Sequence, residues 1–178
     1  MNNNTSHTFE SVWAALQESN RILTEKQAET DRQIDKVNAT LGAWAKNQGD
    51  FAEEYFFNAF ENGKTNFFGE NFDEIEKKLK NKRNGLTDEY DIVMFNHTSV
   101  AIIEVKYRAR EKDLPVVLKK VDTFRILFPD YKDFKIYLGL ASMSFYPELE
   151  EACTENGIAI IKQVGEKVII NDKHIKAF

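Results

Sequence analysis

The sequence predicts an α/β fold, a mixed sheet layered between helices and preceded by a long N-terminal helix. Three observations carry that prediction. From residue 48 onward the hydrophobic patterns run helix, three strands, helix, strand, helix, strand, closed by a short last strand. Two apolar runs, Tyr90–Phe95 and Val100–Val105, flank a polar turn at Asn96–Ser99. A third run, Phe134–Ala141 (FKIYLGLA), is apolar on both faces, as a buried parallel strand is.

Residues 9–47 carry a helical pattern with almost no breakers. With Trp13 at heptad position a, residues Trp13, Asn20, Gln27, Ile34 and Leu41 fall at a. Leu16, Leu23, Thr30, Val37 and Trp44 fall at d, and Phe9 at the preceding d. A two-residue seam of this kind suits a coiled coil better than a broad core-facing stripe. The expectation is a homodimer through residues 9–47; the alternative is one long helix folding back on the domain. Gly42 and Asn47-Gln48-Gly49 are expected to loosen the helix, dividing the chain into 1–47 and 48–178.

The first core helix is predicted at Gln48–Glu61, stopped by Asn62-Gly63, with Ala52, Phe56 and Phe60 on one face. The stretch Thr65–Lys82 is ambiguous. FDEIEKKLK favours a helix with Glu74–Lys78 and Glu76–Lys80 pairs, yet Asn84-Gly85 is a strong hairpin turn. The turn argues for a strand within Phe72–Lys82. A helix follows at Leu114–Phe128, with Pro115 in its first turn and Val117, Val121, Phe124 and Leu127/Phe128 as its apolar face. Pro147–Asn156 is a short helix stopped by Gly157; Ile158–Lys162 and Lys167–Asn171 are the last strands.

Composition narrows the function classes. The 178 residues suit one domain plus an appendage, with 42% hydrophobic residues for a core and 14 Phe. No apolar run reaches the roughly 18–20 residues of a membrane span, and the polar start lacks the pattern of a signal peptide. A soluble cytoplasmic protein with no membrane partner is expected. Cys153 is alone, which excludes a disulfide framework and a cysteine zinc site. His7, His97 and His174 are scattered in expected loops or termini and read as solvated side chains. No nucleophile elbow, Walker A loop or G-x-G-x-x-G is present.

The chemistry-bearing stretch is Asp88–Arg108. Asp91 opens one strand, and the next ends in Glu104-Val105-Lys106. Alternation puts Glu104 and Lys106 on one face of their strand and Val105 on the other. Two carboxylates and a lysine at the end of apolar strands are costly to bury without a partner. A divalent metal held by Asp91 and Glu104, with Lys106 beside it, supplies one; a structural ion-pair network supplies another. The arrangement D-(x)12-E-x-K, with Glu104 13 positions after Asp91, resembles the signature of the PD-(D/E)xK nuclease superfamily, with a hairpin similar to that of archaeal Holliday-junction resolvases. Tyr90 stands where the signature's proline would be.

The resemblance covers roughly residues 49–164 and implies a three-layer restriction-endonuclease-like core at 48–178. It also calls for the strand before Asn84-Gly85. It implies a metal-dependent nuclease acting on nucleic acid, with DNA the expected substrate and Mg²⁺ or Mn²⁺ the cofactor. Asp91 and Glu104 would be direct ligands, the Val105 carbonyl would complete the set, and Lys106 would orient the attacking water. The superfamily often carries a glutamate on its first core helix four residues after a glycine. Glu53 meets that spacing from Gly49, with Glu54 as the alternative. Net charge is −5, yet residues 76–120 hold eleven basic and seven acidic groups. Lys77, Lys80, Lys82, Arg83, Arg108, Lys119 and Lys120 are the expected phosphate contacts, against the plain reading of a solvated charged surface. The competing function is a nuclease-fold module acting in binding or assembly through its coiled coil.

Overall fold

The computed structural model describes residues 9–61 and 66–178. The chain divides into two compact units, Met1–Lys46 and Asn47–Phe178. No described helix is long and apolar enough to cross a membrane.

Helix α1 runs Phe9–Glu61. The loosening expected at Gly42 and Asn47-Gln48-Gly49 does not occur. A mid-helix glycine costs only about 1 kcal/mol, and neither glycine is accompanied by a proline that would remove a backbone donor. The predicted core helix Gln48–Glu61 is therefore the last part of α1; its expected Asn62-Gly63 stop lies outside the described residues. In the first unit, Leu16, Leu23, Ile34, Val37, Leu41 and Trp44 are each more than half exposed. Ion pairs Arg21–Glu18, Arg21–Glu25 and Arg32–Glu29 support this helix along its surface.

The second unit is built on a six-stranded mixed sheet. A two-residue ladder, β1 (Asn66–Phe67) with β2 (Glu70–Asn71), precedes it. Strands β3 (Glu74–Arg83) and β4 (Leu86–Phe95) form an antiparallel hairpin through Asn84-Gly85, whose φ values are 52° and 81°. Positive φ at both central residues is what a tight hairpin turn demands. The strand predicted within Phe72–Lys82 is there and extends to Arg83. Lys80 spends its charge across the ladder on Glu89, 3.3 Å away, instead of on Glu76 along a helix.

Strand β5 (Ser99–Lys106) pairs antiparallel with β4; β6 (Lys135–Ser142) and β7 (Ala159–Val164) continue in parallel, and β8 (Lys167–Asn171) closes antiparallel. The order is β3-β4-β5-β6-β7-β8. Helices α2 (Leu114–Leu127) and α3 (Pro147–Glu155) make the right connections for parallel strands. Each face of the sheet has its own core. Ala52, Phe56 and Phe60 of α1 pack with Ile92, Ile103, Ala141 and Ile161. Val117, Val121 and Phe124 of α2, with Leu149 and Cys153 of α3, pack with Val93, Ile102, Leu138 and Leu140. The second unit is thus an α/β three-layer core, its central strands covered on both sides.

Candidate active site where two strands part

The β4–β5 ladder runs from Phe95↔Val100 to Ile92↔Ile103 and stops. The next opposed residues would be Asp91 and Glu104. Asp91 instead accepts a hydrogen bond from the Val105 backbone N–H at 2.7 Å, its side chain replacing the missing rung. The same level is irregular on the other side. Between Lys77↔Ile92 and Leu79↔Tyr90 the β3–β4 register skips Lys78, which has φ of 55°. A non-glycine residue there costs roughly 1–2 kcal/mol.

The irregularity turns both strands over. Residues two or four apart in a regular strand share a face. Yet Ile75 and Ile92 pack on the α1 side, while Leu79 and Tyr90 pack on the α2 side. Asp91 sits at that reversal, which aims its carboxylate along the sheet toward β5 rather than into either core. Alternation in β5 is regular. Val100 and Ile102 face α2, so Glu104 does too.

Glu104 is 5% exposed. Its Oε1 accepts from Lys106 Nζ at 2.7 Å, and its buried Oε2 has no hydrogen-bond partner, with Lys120 Nζ 3.6 Å away. Lys120 is itself buried. It donates to Asp88 Oδ1 at 2.8 Å and to the Glu89 carbonyl at 2.5 Å, and lies 5.0 Å from the centre of the Tyr90 ring. Thr123 donates to Asp88 at 2.6 Å and accepts from the Tyr90 hydroxyl at 3.0 Å.

Burial first, and the Glu104 charge second, push the Asp91 carboxyl up to about 7, against the opposing pull of the Val105 N–H and Lys106. Burial disfavours the Lys106 ammonium, but the charge and hydrogen bond of Glu104, then Asp91, outweigh it and hold the lysine above its ordinary range. Burial likewise works against the Asp88 carboxylate, yet Lys120 and Thr123 hold it below its ordinary range.

Glu53 turns to Lys78, whose Nζ stands 2.9 Å from Glu53 Oε2 and 3.1 Å from Asp50 Oδ1; its charge is still felt at Asp91. Glu54 pairs with Lys77, which also lies over the Phe57 ring. Lys80 pairs with Glu89, while Lys82, Arg83, Arg108 and Lys119 are exposed. Lys120 does not fit the expected phosphate contact, because its ammonium is enclosed by Asp88, Glu89 and Tyr90. Its place was readable. Val117, Lys120, Val121 and Phe124 follow i, i+3, i+4, i+7, the apolar face of α2. Lys78, Asp88 and Thr123 had no such signal.

Among the described residues, no group of three or more His, Cys, Asp or Glu side chains is arranged to hold a metal ion. A metal here would rest on Asp91 and Glu104 alone among side chains. Their state fits such an ion: one carboxyl raised by burial and then by a neighbouring negative charge, and one buried carboxylate oxygen without a hydrogen bond. Mg²⁺ is commonly bound through one or two carboxylates while keeping several waters. Glu53 is engaged by Lys78 at 2.9 Å. The chain matches no protein-family model, no curated protein and no solved structure.

Proposed function

We propose that the second unit is a metal-dependent nuclease of the PD-(D/E)xK kind, hydrolysing phosphodiester bonds in nucleic acid, with DNA as the first candidate. One observation carries the reading: Asp91, Glu104 and Lys106 meet where the β4–β5 ladder opens, with Asp91 raised to about 7. Asp91, Glu104 and the Val105 carbonyl would hold Mg²⁺ or Mn²⁺. The bound ion would supply an activated water and neutralise phosphate charge. Lys106, on the exposed side of Glu104, places an ammonium beside the attacked phosphate and stabilises the charge that develops there. Val105 N–H fixes the Asp91 rotamer. Glu53, released from Lys78, would orient a water at the cleft. Lys82, Arg83, Arg108 and Lys119 offer exposed positive charge for the phosphate backbone. The reading places the protein in the cytoplasm, where the lone Cys153 stays reduced.

The test is incubation with single-stranded, duplex and branched DNA and RNA, with Mg²⁺ or Mn²⁺. Wild type should cleave at least one substrate, and Lys106→Ala should lower the rate by roughly 10²–10³. Equal rates for the two proteins would sink the proposal. A second reading, a module that binds or assembles without cleaving, is favoured by Glu104 lying between Lys106 and Lys120, two cations that balance its charge without metal. On that reading no substrate is cut.

A further inference from the structure

We propose that residues 13–44 pair with a second copy of this chain as a parallel, in-register two-stranded coiled coil. Lys26 of each helix faces Asp31 of the other. The inference concerns association and does not rest on the nuclease reading.

The charges decide between this and other arrangements. With Trp13 at a, the ion pairs that the helix makes within itself join Arg21, Glu18, Glu25, Arg32 and Glu29, all at the outer b, c and f positions. Lys26 at g and Asp31 at e border the seam, and neither forms an ion pair among the described residues. In a parallel pair, a g residue meets the e residue five positions later on the facing helix. That brings Lys26 to Asp31 twice per dimer. In an antiparallel pair g faces g and e faces e, and these two charges never meet.

The polar middle of the seam accommodates this pairing. Asn20 at a meets its own counterpart only when the helices run parallel and in register. Thr30 at d donates its hydroxyl to the Lys26 carbonyl at 3.0 Å, so it enters the seam already satisfied. The exposed apolar side chains lie toward both ends, and the seam from Trp13 to Trp44 spans about 46 Å.

Sedimentation equilibrium on the full chain at low salt tests the proposal, with circular dichroism to check that each variant keeps its helix. Wild type should be dimeric. Lys26→Asp alone and Asp31→Lys alone should each raise the dimer dissociation constant roughly tenfold, because both interchain pairs become repulsive. An equimolar mixture of the two variants should recover wild-type affinity as a heterodimer, since both pairs are then restored between chains. The recovery should fade in ~1 M salt, where the Debye length is about 3 Å. A wild-type monomer at tens of micromolar overturns the proposal. So does a mixture that associates no more tightly than either variant alone.

Discussion

Asp91 carries an unusual burden for one side chain. It closes the last rung of the β4–β5 ladder while a second carboxylate lies across the gap, and burial with that charge raises it to about 7. An unfolded aspartate titrates near 3.9. Between about pH 4 and 7 the folded protein therefore keeps a proton that the unfolded chain has lost, and stability falls as pH rises through that window. The Asp91 contribution should amount to roughly 2–4 kcal/mol across it. Asp91→Asn retains an oxygen for the Val105 N–H and carries no charge. Metal-free, it should melt above wild type at pH 8 and lose that part of the pH dependence; thermal melts from pH 4 to 8 decide. Lys120 is the counterpart inside the α2 face. Lys120→Met should cost about 3–5 kcal/mol, because Asp88 and Glu104 lose a buried cation. A urea-denaturation loss under ~1 kcal/mol would show the network to be dispensable. The pairing of Glu104 with Lys106 was legible from strand alternation. Tertiary partners such as Asp88 and Thr123 were not, since nothing local ties them to a residue more than thirty positions away.

At the scale of elements, two opposing local signals met in β3, and the turn won. The helical pairs in Glu74–Lys80 are each worth about 0.2–0.5 kcal/mol, whereas Asn84-Gly85 commits the chain to a ladder running from Glu74↔Phe95 to Arg83↔Leu86. Gly85→Val places a β-branched residue at φ of 81°, with an expected loss of roughly 1–3 kcal/mol. Hydrogen exchange should rise first at the β3–β4 ladder; unchanged protection there would separate the turn from the strand's stability. The helix boundary expected at Gly42 and Gly49 is absent for the complementary reason. Isolated glycines weaken a helix without stopping it, and the end of one compact unit need not be the end of a helix. The reversal at Lys78 and Asp91 had no sequence signature. Both residues fit an ordinary alternating strand, and only the packing of Ile75 against one core and Leu79 against the other shows it.

For the whole molecule, the site's metal question and the chain's division can be tested together. Mg²⁺ or Mn²⁺ at millimolar concentration should raise the wild-type melting temperature by linkage, and Asp91→Asn should blunt that rise. Identical wild-type melting curves with and without metal would favour the non-cleaving module. The compact unit Asn47–Phe178 contains the last part of α1, so the place of a truncation matters. Ala52, Phe56 and Phe60 are at most 4% exposed and belong to the core on one face of the sheet. Losing a buried phenylalanine typically costs about 3–5 kcal/mol, and a domain's whole stability is only about 5–15 kcal/mol. Removing residues 1–46 should therefore leave a cooperatively folding fragment that keeps the metal-induced shift. Removing residues 1–61 should leave a chain without a sharp thermal transition. If the parallel pairing of residues 13–44 also holds, the shorter truncation should abolish association and slow only those cleavages that need two sites at high local concentration. A 47–178 fragment that fails to fold, in parallel with a 62–178 fragment that does, would show the core assignment of α1 to be wrong.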